Sequence, residues 1–236
     1  TNLYDPKDKK SNIVCQKMFE EQIGWAKEAG VDFIIAETIT WVEELKIALK
    51  AIKDAGLIAV CNYAFRRDGK TREGVSPGEA CKILDCFCAF LFRLNCFRGP
   101  ATMMPYLKEI RKVLKCHVAA LPITFRTTEK NPTFFNLPDN NGCTCETPHQ
   151  TTFPTALDPM QCNRYEIRKF AKEANDIGIN YLGVCCGANP MLIREVAESV
   201  GLKVPASKYK ENMSRHFMYG DHPRVPKHMK DYRNKA

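Results

Sequence analysis

The sequence predicts an α/β chain in which parallel strands are covered by helices. Two observations predict it. Five short segments are near-continuously apolar, as strands buried on both faces are, and helical stretches separate them. Residues able to do chemistry (Glu37, Asn95, Cys96, Cys185 and Cys186) fall at the C-terminal tips of those strands. A (β/α)8 barrel and a doubly wound sheet share both features, and in either the strand C-termini form the functional face. Five strands cannot close an eight-stranded barrel. The barrel reading therefore expects an incomplete arc, with about three strand–helix units missing from the N-terminal side.

Residues 1–11 read as a polar linker. An amphipathic helix follows from about Asn12 to Ala29, ended by Gly30. The segment 31–36 is a short strand carrying Glu37 and Thr38 at its tip, and a second helix runs from about Trp41 to Ala55. The next strand is 57–62. Ser76, Pro77 and Glu79 then form a helix start, with a cap, a proline at the first helical position and a reciprocal glutamate. That helix reaches about Asp85. The segment 89–95 is the third strand, ending at Cys96. A helix from about Met104 to Leu114 precedes the strand 116–121, and a long loop rich in Pro, Thr and Asn spans 122–162. The helix from about Tyr165 to Asp176 leads into the fifth strand, Tyr181 to Cys186. A turn and a covering helix from about Met191 follow.

The 236 residues, 44% of them hydrophobic, suffice to bury a sizeable core. The chain divides most simply into a domain over 1–206 and a basic tail over 207–236. No apolar run has the length of a membrane span and no segment has signal-peptide character, so no membrane partner is expected. The net charge of +8 lies partly in the tail, which carries no nucleic-acid motif, and no nucleic-acid partner is expected. Twelve cysteines without a secretory signature fit reduced thiols in the cytoplasm better than a disulfide scaffold.

Most of those cysteines are small buried hydrophobes on this reading. Three are placed differently. Adjacent cysteines such as Cys185 and Cys186 seldom bridge each other, but two thiols at one strand tip can share a soft metal with a third. Cys96, at another tip on the same face, is that third candidate. Three cysteine ligands with an open fourth position suit a zinc that acts on a substrate, and a substrate thiol is the natural fourth ligand. Glu37 on the same face could receive a substrate ammonium. The competing reading makes Cys96 one more buried thiol and the pair a packing accident.

The segments DFIIAET, LNCFRGPATM and NYLGVCCGANPMLIREVAE, with GVSPGEA and the FPTALDP loop, resemble the homocysteine S-methyltransferases, in particular the betaine–homocysteine methyltransferase-like branch. The resemblance runs over nearly all of residues 12–205 and implies a partial (β/α)8 TIM barrel. It implies that Cys96, Cys185 and Cys186 bind Zn2+, that Glu37 holds the homocysteine amino group, and that Asn95 contacts substrate or orients its neighbours. The implied reaction passes a methyl group from an onium-type donor to homocysteine thiolate, giving methionine. The implied partners are these two small molecules, with a homo-oligomer or a missing N-terminal segment completing the barrel.

Thr38 stands where the betaine enzymes carry a caging aromatic, which leaves betaine unsupported as donor. Arg93 stands where relatives have glycine: pointing inward, it would crowd the homocysteine site. Cys88 replaces a turn glycine. The rival class is a catalytically inactive homologue serving as a zinc-binding or docking subunit. A redox protein is weaker still, because the C-x-x-C spacing is absent around the pair. Cys143, Cys145 and His149 read as an exposed loop or a second metal site. Trp25 and Trp41 are expected to pack between helices. Gly183 and Gly187 are expected to admit close approach of backbone to ligand, although turn geometry alone would explain Gly187.

Overall fold

The computed structural model describes residues 3–85, 91–139, 151–217, 219–224, 226–229 and 231. Cys88 and the Cys143, Cys145 and His149 group lie outside them. The chain falls into two compact units, Thr1–Gly201 and Leu202–Ala236.

The first unit runs α1 (Lys9–Glu28), β1 (Phe33–Ile39), α2 (Val42–Asp54), β2 (Ile58–Tyr63), α3 (Pro77–Asp85), β3 (Leu91–Asn95), α4 (Pro100–Val113), β4 (His117–Leu121), α5 (Arg164–Asp176), β5 (Tyr181–Leu182) and α6 (Pro190–Ser199). Side-chain caps begin several helices. Asp8 caps α1, Ser76 and Glu79 bond reciprocally at α3, and Asn163 with Glu166 forms a full capping box on α5. At α2 no local side chain caps the helix; Glu73 accepts from the backbone N–H of Val42 at 2.7 Å and of Glu43 at 3.2 Å instead. Gly30, at φ +78°, closes α1 with the paired Gly30-to-Lys27 and Val31-to-Ala26 bonds that a left-handed residue permits.

All five strands are parallel and lie in sequence order, β1-β2-β3-β4-β5. One face of the sheet packs on the helices: Ala36, Cys61, Tyr63, Phe92, Leu94, Val118 and Ala120 share a core with Leu45, Leu49, Leu84, Leu107, Ile110 and Phe170. Because side chains alternate along a strand, Ile35, Glu37, Val60, Asn62, Arg93, Asn95 and Ala119 occupy the opposite face. A doubly wound sheet reverses its strand order and carries helices on both faces. Sequential order with helices on one face makes this an arc of (β/α) barrel type, which decides between the two architectures that the alternation left open.

Helix α1 starts at Lys9, inside the expected linker, and α4 at Pro100 rather than Met104; three further details depart from the sequence reading. The β5 ladder ends at Leu182 rather than continuing to Cys186, because the backbone leaves β4 to follow the next loop, with Cys185 N–H donating to Pro122 at 2.7 Å. The long loop is not featureless. It holds short 3-10 turns at Phe134–Asn136 and Asp158–Met160 and a bridge between Phe125 and Gln161. Trp25 is 60% exposed rather than packed between helices, whereas Trp41 meets the Tyr4 ring edge-on at 5.6 Å.

The second unit includes 3-10 turns at Pro205–Tyr209 and Met213–Arg215, tied internally by His222 N–H to Ser214 and Gly220 N–H to His216. Among the described residues no helix is long and apolar enough to cross a membrane.

Candidate metal centre

The C-terminal end of the sheet is where regular geometry breaks down. In β1 the register shifts between Ala36 and Ile39, a bulge that carries Glu37 and Thr38. Thr38, Cys96 and Phe97 adopt φ of 60°, 56° and 58°, and they are the non-glycine residues at positive φ among those described. Such conformations are uncommon for residues with a side chain and collect at functional sites. Two successive left-handed residues turn the chain sharply after Asn95, and Cys96 N–H donates to Leu121 at 3.1 Å across the strand tips.

That turn directs the Cys96 thiol at the cysteine pair. Cys96 Sγ lies 3.5 Å from Cys186 Sγ, Cys185 Sγ lies 3.8 Å from Cys186 Sγ, and all three sulfurs fall within 4.8 Å of one another. None is in a disulfide. The pair is anchored from below: Cys186 C=O accepts from Thr124 N–H at 2.9 Å and from its hydroxyl at 3.2 Å, and Gln161 Nε2 donates to Thr124 Oγ1 at 2.7 Å. The turn closes through Ala188 N–H to Cys185 C=O, and Asn189 caps α6.

The glycines of this turn serve packing. A Cβ on Gly187, at φ +80°, would sit 2.3 Å from Thr124 Oγ1, and one on Gly183 would press on the Leu121 side chain. Ile123, Phe125, Phe134 and Leu137 of the long loop pack with Cys96 as a separate apolar cluster, flanked by Phe97 and Phe153.

These residues fit a soft cation. In a tetrahedral site two Zn–S bonds of about 2.3 Å span about 3.8 Å between sulfurs, close to the separations found. With only each other as partners the thiols divide unevenly. Hydrogen bonds from Cys185 and Cys96 hold Cys186 far below the ordinary thiol range, while bonding to Cys185 and Cys186 pushes Cys96 up, and Cys185 is also raised by its bond to Cys186. Three thiolates this close require a cation. Three donors from the protein leave a tetrahedral ion one position for a ligand.

Glu37 and Asn95 stand beside the thiols. Asn95, buried at the end of β3, donates through Nδ2 to Glu37 Oε1 at 2.9 Å and to Thr38 Oγ1 at 2.8 Å, and the same nitrogen is 3.9 Å from Cys185 Sγ. The Glu37 side chain remains 47% exposed and borders a cleft of about 650 Å³ whose walls include Trp41 and Phe97. The thiols lie outside that cleft's walls; Glu37 and Phe97 join the two places. Thus all five residues singled out in the sequence meet at one end of the sheet.

The sequence reading left the direction of Arg93 open. It points to the site face, with Nη2 3.9 Å from Glu37 Oε1 and the guanidinium over the Tyr181 ring at 5.3 Å. Asn62 was missed. An asparagine inside an otherwise apolar strand, Ile58–Tyr63, was its only signal.

The fold and the site together define a class: an arc of parallel βα units that gathers soft thiol donors at its strand C-termini. The homocysteine S-methyltransferase family matches residues 1–200, and the chain belongs to that family. It is 30% identical over 209 residues to betaine–homocysteine S-methyltransferase 1 of Mus musculus, covering 84% of this chain and 48% of that protein. It is 29% identical over 218 residues to S-methylmethionine–homocysteine S-methyltransferase BHMT2 of Rattus norvegicus, covering 88% of this chain and 56% of the relative. The chain thus spans about half the length of these relatives. Among solved structures, the apo form of the homocysteine methyltransferase MmuM from Escherichia coli aligns with a TM-score of 0.58, at 11% identity, over 80% of this chain and 57% of that one. At that identity the alignment speaks for the fold alone.

Proposed function

We propose that this chain binds zinc through Cys96, Cys185 and Cys186 and serves the transfer of a methyl group from an onium-type donor to the thiol of homocysteine, giving methionine. The convergence of three sulfurs within 4.8 Å, from segments some ninety residues apart, carries this reading. Membership of the homocysteine S-methyltransferase family supports it.

When bound, zinc supplies the Lewis acidity that keeps a substrate thiol ionised at neutral pH. The remaining work is positional. Glu37, aimed by Asn95, takes the substrate ammonium and fixes the acceptor beside the thiols. The apolar cluster around Phe125 and Phe134 shields the strand tips from water, which strengthens these charge contacts. In the reaction the acceptor sulfur forms a bond to the methyl carbon, and the carbon–onium bond breaks with its electron pair leaving on the donor. No residue needs to act as a strong base, and the chain's part is to hold the two reactants in line.

The test is elemental analysis of the purified, reduced protein and of Cys186→Ser. About one zinc per chain, lost in the variant, is the expected result. Absence of zinc from folded, reduced protein would overturn the catalytic reading and leave a docking subunit in its place.

A further inference from the structure

The concave face below the thiols carries polar groups that the mechanism above does not use. Arg93 in β3 is 5% exposed and Asn62 in β2 is completely buried. The two are register partners on neighbouring strands, so both stand on the face opposite the helices. The Nε–H of Arg93 and both amide atoms of Asn62 have no hydrogen-bond partner among the described residues, and neither does Oδ1 of Asn95, two residues further along β3. A buried guanidinium charge needs pairing. Glu37 answers it only loosely, at 3.9 Å, with the same oxygen that Asn95 already holds at 2.9 Å.

We propose that Arg93 and Asn62 form the floor of the acceptor site and are the side chains that take the carboxylate of the thiol substrate. The proposal rests on the acceptor reading above. A guanidinium fork matches a carboxylate in shape and charge, and the Asn62 amide supplies a further donor beside it. Opposite charges on Arg93 and Glu37, 3.9 Å apart, complement a zwitterion whose carboxylate and ammonium sit on one carbon. Asn95 links that pair to the metal ligands, its Nδ2 lying 2.9 Å from Glu37 and 3.9 Å from Cys185 Sγ. A dianion such as phosphate would face the Glu37 carboxylate, which disfavours it.

The experiment is calorimetric titration of the zinc-loaded full chain with three thiols: homocysteine, 4-mercaptobutyrate, which lacks the ammonium, and 3-mercaptopropylamine, which lacks the carboxylate. Arg93→Gln should weaken the first two by roughly 10-fold or more and leave the amine within about 2-fold. Equal weakening of all three ligands, or of none, overturns the proposal. Should that variant not fold, Asn62→Ala, which keeps the Arg93 charge, should weaken the two carboxylates by about 5-fold and spare the amine; no selectivity overturns it. Wild-type protein that holds zinc yet binds none of the three would sink the acceptor reading itself, a result distinct from homocysteine binding that ignores Arg93.

Discussion

Asn95→Ala tests whether the strand-tip polar network is built as described. The side chain is 1% exposed, and its Nδ2 serves Glu37 at 2.9 Å and Thr38 at 2.8 Å. A bond to an ionised carboxylate contributes about 1.5–3 kcal/mol and one to a hydroxyl about 0.5–1.5 kcal/mol. Both acceptors are exposed and regain water when the amide is removed, so the lower ends apply, and the small cavity adds a little. The expected loss is about 2–3 kcal/mol in urea-unfolding free energy, together with roughly 10-fold weaker homocysteine binding as Glu37 loses its orientation. Asn95→Asp sharpens the test. It sets a new carboxyl against the Glu37 carboxylate, and a like charge this close raises the folded-state pKa of the introduced group. A raised folded pKa gives stability that is present at low pH and lost as pH rises through the carboxylate range, so this variant should be more stable at pH 4 than at pH 7 relative to wild type. A stability change under about 0.5 kcal/mol in Asn95→Ala, or unchanged homocysteine affinity, would refute the reasoning.

Buried thiols make the protein alkali-sensitive. Burial pushes Cys61 and Cys162 up to about 12 and raises Cys81 as well. Their folded values lie above the unfolded value of about 8.5, so stability is intact below that pH and falls above it, by about 1.4 kcal/mol per thiol for each further unit. Urea midpoints should drop between pH 8 and 9.5, and a flat profile would contradict the burial. At the candidate metal centre, Gly187→Ala combines a left-handed backbone at φ +80° with a Cβ 2.3 Å from Thr124 Oγ1 and 2.8 Å from the Phe125 ring. Thermal unfolding should show a loss of about 2–3 kcal/mol, with lowered zinc content because the same turn positions Cys185 and Cys186.

What the sequence made legible follows from periodicity and from single residues with forced roles. Continuous apolar runs marked the strands, Gly30 marked a helix end, and Ser76 with Glu79 marked a start. The adjacent cysteines stood out because a bridge between neighbours is sterically poor. Strand order and the one-sided helix layer could not be read from periodicity, since a short parallel strand reads alike in a barrel and in an open sheet; only the resemblance to the methyltransferase family implied them. The direction of Arg93 was also beyond reach. Only the register with Asn62 and the alternation with Phe92 and Leu94 place it on the site face. The loop 122–162 hid its contribution because its ordering comes from tertiary aromatic contacts, such as Phe134 against Phe153 at 5.1 Å, rather than from any local pattern.

Those aromatic contacts bear on why the thiols converge at all. Thr38, Cys96 and Phe97 each hold a conformation that costs about 1–3 kcal/mol, so the strand tip would relax unless neighbours opposed it. The opposition is visible residue by residue. Phe97 C=O accepts from Phe134 N–H at 2.9 Å, and the Phe97 ring meets Phe135 edge-on at 5.0 Å. Phe134 in turn lies against Phe125, Phe135 and Phe153, and Phe125 packs close to Gly187 in the cysteine turn. One aromatic cluster therefore braces both the Cys96 tip and the Cys185–Cys186 turn. Thr38 is held separately, through Asn95. Relaxing Cys96 to an ordinary extended conformation would swing its sulfur away from Cys186 and leave a two-thiol site. The loop is thus as much a part of the candidate metal centre as the strands that carry the cysteines.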